Sequence, residues 1–205
     1  MTTPQEITGL VLAGGRGTRM EGADKGLQPW RGQALALHAL ARLRPQVGRV
    51  AINANRNLPA YAAWGVPIWS DADADYAGPL AGMLAGLTHC ETAWLLTVPC
   101  DAPFFPADLA ARLAEAATQA RASIAFARAP DETGTLRPQP VFCLLHQSTA
   151  PSLRDYLQGG GRKIRPWAEQ QGCATARFDR AGDDPQAFAN INTLQELQTL
   201  QAATP

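Results

Sequence analysis

The sequence lacks an excess of charge of either sign. Its 205 residues include 18 Lys and Arg and 18 Asp and Glu, so the formal net charge is zero. A nucleic-acid-binding chain needs surplus basic side chains to neutralise phosphates, so we expect no nucleic-acid partner. The same balance leaves room for one small anion at a locally basic site.

Long hydrophobic runs are lacking as well. No apolar stretch approaches the roughly 20 residues that a membrane-spanning helix needs, so we expect no membrane association. Residues 1–6 contain neither the basic region nor the apolar region of a secretion signal. We therefore expect the chain to act in the cytoplasm.

The sequence also lacks the spacings by which cysteine and histidine bind metals. The cysteines match no zinc or redox motif, and we expect them to be small core residues in a reducing compartment. The histidines are isolated from one another and form no ligand pair. These residues are Cys90, Cys100, Cys143 and Cys173, with His38, His89 and His146.

What is present is an alternation of short apolar runs with helical periodicity, which is typical of βαβ units. The predicted strands are residues 7–12, 50–53, 66–69, 94–98, 123–127 and 141–145. The predicted helices are residues 33–44 and 58–64, two that follow Pro79 and Pro106, one that ends at 155–157, and one that starts at 193–196. No linker divides them. We expect one domain over residues 1–205, a three-layer α/β fold with a mostly parallel sheet.

A glycine-rich loop follows the first predicted strand, at residues 12–20. Its glycines let the backbone approach a ligand and turn N–H groups towards it, while Arg16, Arg19 and Lys25 add positive charge. This chemistry is typical of a triphosphate cradle. The loop is not a P-loop, because no Gly-Lys-Ser/Thr closes it, and it is not a dinucleotide fingerprint, because Met20 stands where the third glycine would be. A tight turn with solvated arginines is the alternative interpretation.

Three polar residues follow predicted strands, where open α/β sheets bind their ligands. They are Asn53, Asp71 and Asp101. Magnesium prefers one or two carboxylates together with phosphate oxygens and waters, so Asp101 opposite a phosphate cradle is a candidate ligand. The alternative is that Asp101 merely caps a turn between two prolines.

These features occur together with further motifs. The segments concerned are residues 12–20, 24–27, 52–56, 70–71, 76–83, 99–104 and 188–193. In this combination the chain resembles the molybdenum cofactor guanylyltransferase family over essentially its whole length. The resemblance implies a three-layer Rossmann-like nucleotidyltransferase fold. It further implies that the part over about 1–105 binds GTP and that the part over about 106–205 forms the molybdopterin side.

The resemblance implies an enzyme that transfers GMP from GTP to molybdopterin carrying molybdenum and releases pyrophosphate. The implied cofactor is Mg²⁺, with Asp101 as its ligand. The implied catalytic residues are Arg19, Lys25 and Asp101. The implied GTP-binding residues are Leu12, Ala13, Gly14, Gly15, Lys25, Asn53, Asp71 and Asp101.

The same resemblance implies a set of molybdopterin-binding residues. Asn190 and Asn192 are similar to the family's molybdopterin-side motif, and Arg162 and Lys163 lie where the family places basic residues. Asn192 also fits a helix cap, and the two basic residues also fit a solvated helix face. The family often carries a His-Pro pair where this chain has Arg137, so the role of that position stays open.

Two other functions remain open at this point. One is a cytidylyltransferase or a sugar-phosphate nucleotidyltransferase; the run Ala13-Gly14-Gly15 favours guanine, because the cytidine enzymes tend to show Ala-Ala-Gly. The other is a non-catalytic GTP-binding regulator or cofactor carrier. Other cofactor-biosynthesis proteins and molybdoenzyme chaperones are plausible partners, because the product is labile. The oligomeric state does not follow from the sequence.

Overall fold

A computed structural model describes residues 2–15, 24–72, 78–191 and 196 of the chain. Several predictions from the sequence fall outside these ranges. They concern Arg16, Arg19, Asn192 and the start of the predicted last helix at residues 193–195.

Nine strands are assigned within the described ranges. In chain order they are β1 (Ile7–Leu12), β2 (Pro29–Trp30), β3 (Gln33–Ala34), β4 (Arg49–Asn53), β5 (Ile68–Trp69), β6 (Trp94–Pro99), β7 (Ile124–Pro130), β8 (Leu136–His146) and β9 (Ala174–Arg177). Seven of them form one sheet in the order β5-β4-β1-β6-β8-β7-β9, and β2 pairs with β3 in a separate hairpin.

The large sheet is mostly parallel, as the sequence predicts. β1 is an inner strand, third in this order, and pairs in parallel with β4 and β6, so the carboxyl ends of these three strands meet at one edge. All six residues of β1 are buried, as expected for a strand covered on both faces. The exception is β8, which runs antiparallel to β6 and β7 because a short turn at residues 131–135 joins it to β7.

Helices cover both faces of the sheet and complete the three layers. They are α1 (Leu35–Leu43), α2 (Leu58–Ala62), α3 (Pro79–His89), α4 (Leu109–Ala120), α5 (Ala150–Gln158) and α6 (Ile164–Gln170). Side chains of α1 and α4, such as Leu40 and Leu113, belong to one buried cluster. Met83 of α3 and Trp167 of α6 belong to the other. No helix in the described ranges has both the length and the apolar character needed to cross a membrane.

The structure departs from the predicted elements in several places. Residues 33 and 34 belong to the β2–β3 hairpin, so the predicted helix 33–44 starts two residues later. The helix predicted from Pro106 starts at Leu109, and the strand predicted over 141–145 extends back to Leu136. Both α6 and β9 are elements that were not predicted from the sequence.

Candidate active site

A cleft of about 960 Å³ opens at the carboxyl ends of β1, β4 and β6. This is the edge at which an open α/β sheet binds its ligand. The predicted site residues that line it are Leu12, Ala13, Gly14, Gly15, Lys25, Asn53, Asp71, Asp101 and Asn190. The fold therefore brings together residues that lie far apart in the sequence, from Leu12 to Asn190.

The glycine-rich loop leaves β1 between its two neighbouring strands. The Ala13 N–H donates to the Asn53 carbonyl at 2.8 Å, and the Cys100 N–H donates to the Leu12 carbonyl at 3.1 Å. A Cβ at Gly14 would lie only 2.9 Å from the Asn53 Oδ1 atom, so a side chain there would force the site apart. At Gly15 a Cβ would meet no described heavy atom within 4 Å, so this position is open to a ligand.

Lys25 and Asp101 form an ion pair inside the cleft. The Lys25 Nζ atom donates to Asp101 Oδ2 at 2.5 Å, and the two side chains are 22% and 18% exposed. Asp101 lies two residues after the last residue of β6, and its backbone carbonyl accepts from the Ile191 N–H at 2.7 Å. That bond fixes the Asp101 backbone next to the segment that carries Asn190.

The turn that carries Lys25 is anchored by the buried carboxylate of Asp24, which was not among the predicted site residues. Asp24 accepts from the Tyr61 hydroxyl at 2.7 Å, from the Asn57 amide at 2.9 Å and from the Gly26 N–H at 3.2 Å. Burial, followed by the hydrogen bond to Asp24, raises the pKa of Tyr61 far above its ordinary value, so its hydroxyl remains a donor. Arg56 lines the cleft with its Nε atom 3.8 Å from Asp24.

Asp71 is held between two asparagine side chains from the end of β4. The Asn53 amide donates to Asp71 Oδ1 at 2.8 Å and also to the Trp69 carbonyl at 2.8 Å. The Asn55 amide donates to Asp71 Oδ2 at 2.7 Å, and the Asp71 N–H donates back to Asn55 Oδ1 at 2.8 Å. The fold therefore joins Asn53 and Asp71, as their positions after two neighbouring strands predict, and adds Asn55.

The far wall of the cleft comes from an irregular stretch of β8. Phe126 of β7 pairs with Cys143, whereas the next residue pairs with Gln139, so residues 140–142 bulge out of the ladder. Bulges of this kind re-aim side chains next to functional sites. Gln139 lines the cleft, whereas Arg137 is an exposed residue that pairs with Asp131 at 2.8 Å. Gln139, which precedes a proline, was not among the predicted site residues.

Arg162 and Lys163 do not line this cleft in the described part of the chain. They lie in the turn between α5 and α6 and not on a helix face, which corrects that expectation. The Arg162 Nη1 atom donates to the Leu157 carbonyl at 2.9 Å and to the Gly161 carbonyl at 2.7 Å, so its guanidinium caps α5. A molybdopterin role for the two residues stays a prediction.

The donor set of the cleft fits a magnesium ion that is held chiefly by substrate. Over the described residues, no group of three or more His, Cys, Asp and Glu side chains is placed to hold a metal. Magnesium bound through phosphates and waters needs only one or two carboxylates, and Asp101 supplies one at the cradle. The adjacent Cys100 is no competing ligand, because magnesium prefers oxygen donors to a thiol.

The mostly parallel sheet, the glycine-rich loop and the Lys25–Asp101 pair define the class of this protein, which is a nucleotidyltransferase. The model of the MobA-like NTP transferase domain matches residues 9–175. The chain belongs to the molybdenum cofactor guanylyltransferase family, and its activity is nucleotidyl transfer in molybdenum cofactor biosynthesis.

The relatives are similar over nearly their full length. The molybdenum cofactor guanylyltransferase of Acidovorax ebreus is 62% identical over 206 residues, covering 98% of each chain. That of Cupriavidus necator is 55% identical over 199 residues, covering 97% of this chain and 98% of the relative. In fold, the chain is similar to the crystal structure of molybdopterin-guanine dinucleotide biosynthesis protein A from Archaeoglobus fulgidus. The TM-score is 0.76 at 20% identity, with 95% of this chain and 97% of that chain covered.

Proposed function

We propose that the protein transfers GMP from GTP to molybdopterin carrying molybdenum, forming the guanine dinucleotide cofactor and releasing pyrophosphate. The observation that carries this proposal is the position of the Lys25–Asp101 pair. It lies between the glycine-rich loop on one side and the wall formed by Gln139 and Asn190 on the other. A positive charge is thus available to a reacting phosphate between the glycine-rich loop, on the proposed nucleotide side, and the opposite wall, on the proposed molybdopterin side.

The nucleotide half suits a triphosphate. Gly14 and Gly15 keep side chains away from the cradle, so backbone N–H groups can approach phosphate oxygens. Lys25 adds a cation that can stabilise the charge which develops on the α-phosphate and on the leaving pyrophosphate. Arg19 is proposed as a second cation of this kind.

Asp71 supports guanine as the base. A carboxylate offers two neighbouring acceptors, and guanine presents two neighbouring N–H donors on one edge. Cytosine presents only one donor group on the corresponding edge, so it leaves one carboxylate oxygen without a partner. This favours the guanylyltransferase over the cytidylyltransferase.

The acceptor supplies its own nucleophile. A phosphate monoester is ionised at neutral pH, because its second pKa is about 6, so no strong general base is needed. The obstacle to reaction is repulsion between this anion and the triphosphate, which Lys25 and loop N–H groups reduce by screening. We further propose that Asn190 and Asn192 orient the molybdopterin so that its phosphate faces the α-phosphate.

The proposed cofactor is Mg²⁺, which Asp101 would hold together with the oxygens of GTP. When bound, such an ion withdraws charge from the phosphates and helps to align the attacking and leaving oxygens. Asp101 currently accepts from Lys25, so the residue that would bind the ion already lies beside the proposed catalytic cation.

The test is pyrophosphate release from GTP or from CTP in the presence of molybdopterin, each with and without Mg²⁺. We expect release with GTP and Mg²⁺, and loss of release when the metal is chelated. Release with CTP instead would overturn the base assignment and keep the reaction class. Tight GTP binding without any release would indicate the cofactor carrier.

A further inference from the structure

We propose that Asn55 is a positioning residue that sets the nucleobase specificity of the cleft by fixing the carboxylate of Asp71. This inference rests on the proposed use of GTP and goes beyond it, because it concerns a residue that does not itself read the base. It starts from the reciprocal contact between the two side chains at the end of β4 and after β5.

Asn55 and Asp71 are joined by two hydrogen bonds of opposite direction. The Asn55 Nδ2 atom donates to Asp71 Oδ2 at 2.7 Å, and the Asp71 N–H donates to Asn55 Oδ1 at 2.8 Å. The second bond fixes which end of the Asn55 amide faces the carboxylate, since the backbone N–H needs the oxygen. The first bond then holds one carboxylate oxygen in place.

The other oxygen is held from the interior. Asn53 is 3% exposed, and its Nδ2 atom donates both to Asp71 Oδ1 and to the Trp69 carbonyl. With one amide donor on each oxygen, the carboxylate cannot rotate freely about its Cβ–Cγ bond. Each oxygen accepts again through its remaining lone pair, so two parallel acceptors are available to a ligand.

Asn55 also lies between these acceptors and the phosphate cradle. Its Nδ2 atom lies 3.5 Å from the Gly14 carbonyl, and a Cβ at Gly14 would approach that nitrogen to 2.8 Å. The same side chain therefore touches the loop that takes the triphosphate and the carboxylate that takes the base.

The specific ligand class is a 2-amino-6-oxopurine nucleotide. Inosine triphosphate is the sharpest probe, since it keeps the N1–H donor and lacks only the 2-amino group. A site built around two fixed acceptors rejects a ligand that leaves one acceptor unpaired. We expect the native protein to bind GTP at least about 10-fold more tightly than inosine triphosphate, because the 2-amino group adds one charge-assisted hydrogen bond.

The test replaces the Asn55 amide without changing its shape. Asn55→Asp keeps the acceptor for the Asp71 N–H and removes the donor to Asp71 Oδ2, placing one carboxylate against another. Binding of GTP and of inosine triphosphate is measured by titration calorimetry, and circular dichroism checks the fold. We expect the preference for GTP to fall about 10-fold. Asn55→Ser, which is smaller and uncharged, should lower it in the same direction and covers the case in which the aspartate variant unfolds.

A matched control is Asn57→Asp, because the Asn57 amide donates to the carboxylate of Asp24 at 2.9 Å in the same way. This variant should weaken the binding of GTP and of inosine triphosphate equally, so that the ratio of the two affinities stays unchanged. The inference is overturned if Asn55→Asp and Asn55→Ser keep the native ratio of the affinity for GTP to the affinity for inosine triphosphate. The proposed function is tested on the native protein alone. If the native protein binds CTP more tightly than GTP, the proposed function is wrong, whatever the Asn55 variants show.

Discussion

At the scale of single residues, Lys25 is the cation on which the proposed chemistry depends most. Its side chain is 22% exposed and reaches Asp101, while the turn that carries it is held by contacts of Asp24. Removing the ammonium group therefore removes charge from the cleft without removing the anchor of the turn. Stability and activity should respond differently.

We predict that Lys25→Ala lowers kcat/KM for pyrophosphate release by about 3 kcal/mol in transition-state stabilisation, as for loss of one strong electrostatic donor. The free energy of unfolding should change by less than about 1 kcal/mol, the usual value of a partly exposed ion pair. Steady-state kinetics and urea unfolding measure the two quantities. Lys25→Arg, which keeps the charge, is the control. A Lys25→Ala protein with native kcat/KM would exclude Lys25 from the reaction.

Asp24 lies one residue away and has a different role, because its side chain is only 4% exposed. We predict that Asp24→Asn destabilises the fold by about 2 kcal/mol, since an amide nitrogen would face the Tyr61 hydroxyl or the Asn57 amide, both of which donate. It should also lower kcat more than it raises KM, because Lys25 loses its fixed position.

Tyr61→Phe is the matched control for this variant. It removes one donor and leaves the carboxylate with Asn57 and Gly26, so the loss of stability should be smaller, about 1 kcal/mol. Thermal unfolding and steady-state kinetics on both variants test the idea. An Asp24→Asn protein that is destabilised and keeps native kcat would show that Asp24 serves the fold alone.

At the scale of elements, the strands that build the cleft were the easiest to predict. β1 and β6 are buried apolar runs, and the polar residues that end the strands mark the binding edge. β9 was missed because its buried positions are alanines, which have weak strand propensity and no apolar bulk to reveal a pattern. The seven-residue helix α6 was not predicted either.

The sequence patterns did not predict the contacts between elements. The sequence places Asp24 beside Lys25, yet nothing local indicates that Tyr61 closes over it from α2. The bulge of β8 could not be predicted from the local sequence either, because only its register with β7 shows that Gln139 lines the cleft. The site residues at strand ends were predictable, whereas the residues that position them were not.

Helix α3 provides a prediction at this scale, since it packs two glycines against the sheet. A Cβ at Gly82 would lie 2.3 Å from Asn53 Oδ1 and 2.8 Å from Leu12 Cδ2, both at the cleft. We predict that Gly82→Ala displaces Asn53 and lowers GTP affinity at least 10-fold, in addition to an overpacking cost of about 1–3 kcal/mol in unfolding free energy.

Gly86, one turn further along α3, is the matched control. Its Cβ would approach Leu10 Cδ2 and Leu95 Cδ2, each at 2.6 Å, in the core away from the cleft. Gly86→Ala should therefore cost similar stability and leave the GTP affinity of the folded protein close to native. Calorimetric titration with GTP and urea unfolding separate the two effects. Equal loss of GTP affinity in both variants would contradict the role assigned to Gly82.

At the scale of the whole molecule, the segment that leads to Asn190 is tied back to the sheet in several places. Phe188 stacks edge-on against Phe142 and Phe178, with ring centroids 4.9 and 5.0 Å apart. Further back, the buried Arg112 of α4 holds Asp183 through two hydrogen bonds of 2.8 and 3.0 Å. These ties deliver Asn190 to the wall of the cleft.

The Arg112–Asp183 pair has a consequence for stability in acid. The hydrogen bonds from Arg112 lower the pKa of the Asp183 carboxyl below its ordinary value in the folded protein. A carboxyl with a lowered folded pKa contributes stability at pH values above its unfolded pKa of about 3.9. That contribution is lost as the pH falls through the folded pKa.

We predict that Asp183→Asn lowers the free energy of unfolding by about 2 kcal/mol at pH 7, as for hydrogen bonds to a charged group. The difference between native and variant should begin to shrink below about pH 4 and vanish once the folded carboxyl is protonated. Urea unfolding from pH 7 down to pH 2 measures it. Other carboxyls with lowered pKa, such as Asp131, occur in both proteins and cancel in the difference.

Asp179→Asn is the comparison for this last prediction, because Asp179 pairs with Arg177, whose side chain is 65% exposed. Solvent screens that pair, so its loss should destabilise the fold at pH 7 clearly less than the loss of the Asp183 carboxylate does. A difference for Asp183→Asn that stays constant from pH 7 to pH 2 would show that its carboxylate charge does not stabilise the fold. Arg112 would then hold the segment through its contacts with the Phe178 ring, 3.9 Å away, and with the Arg177 carbonyl.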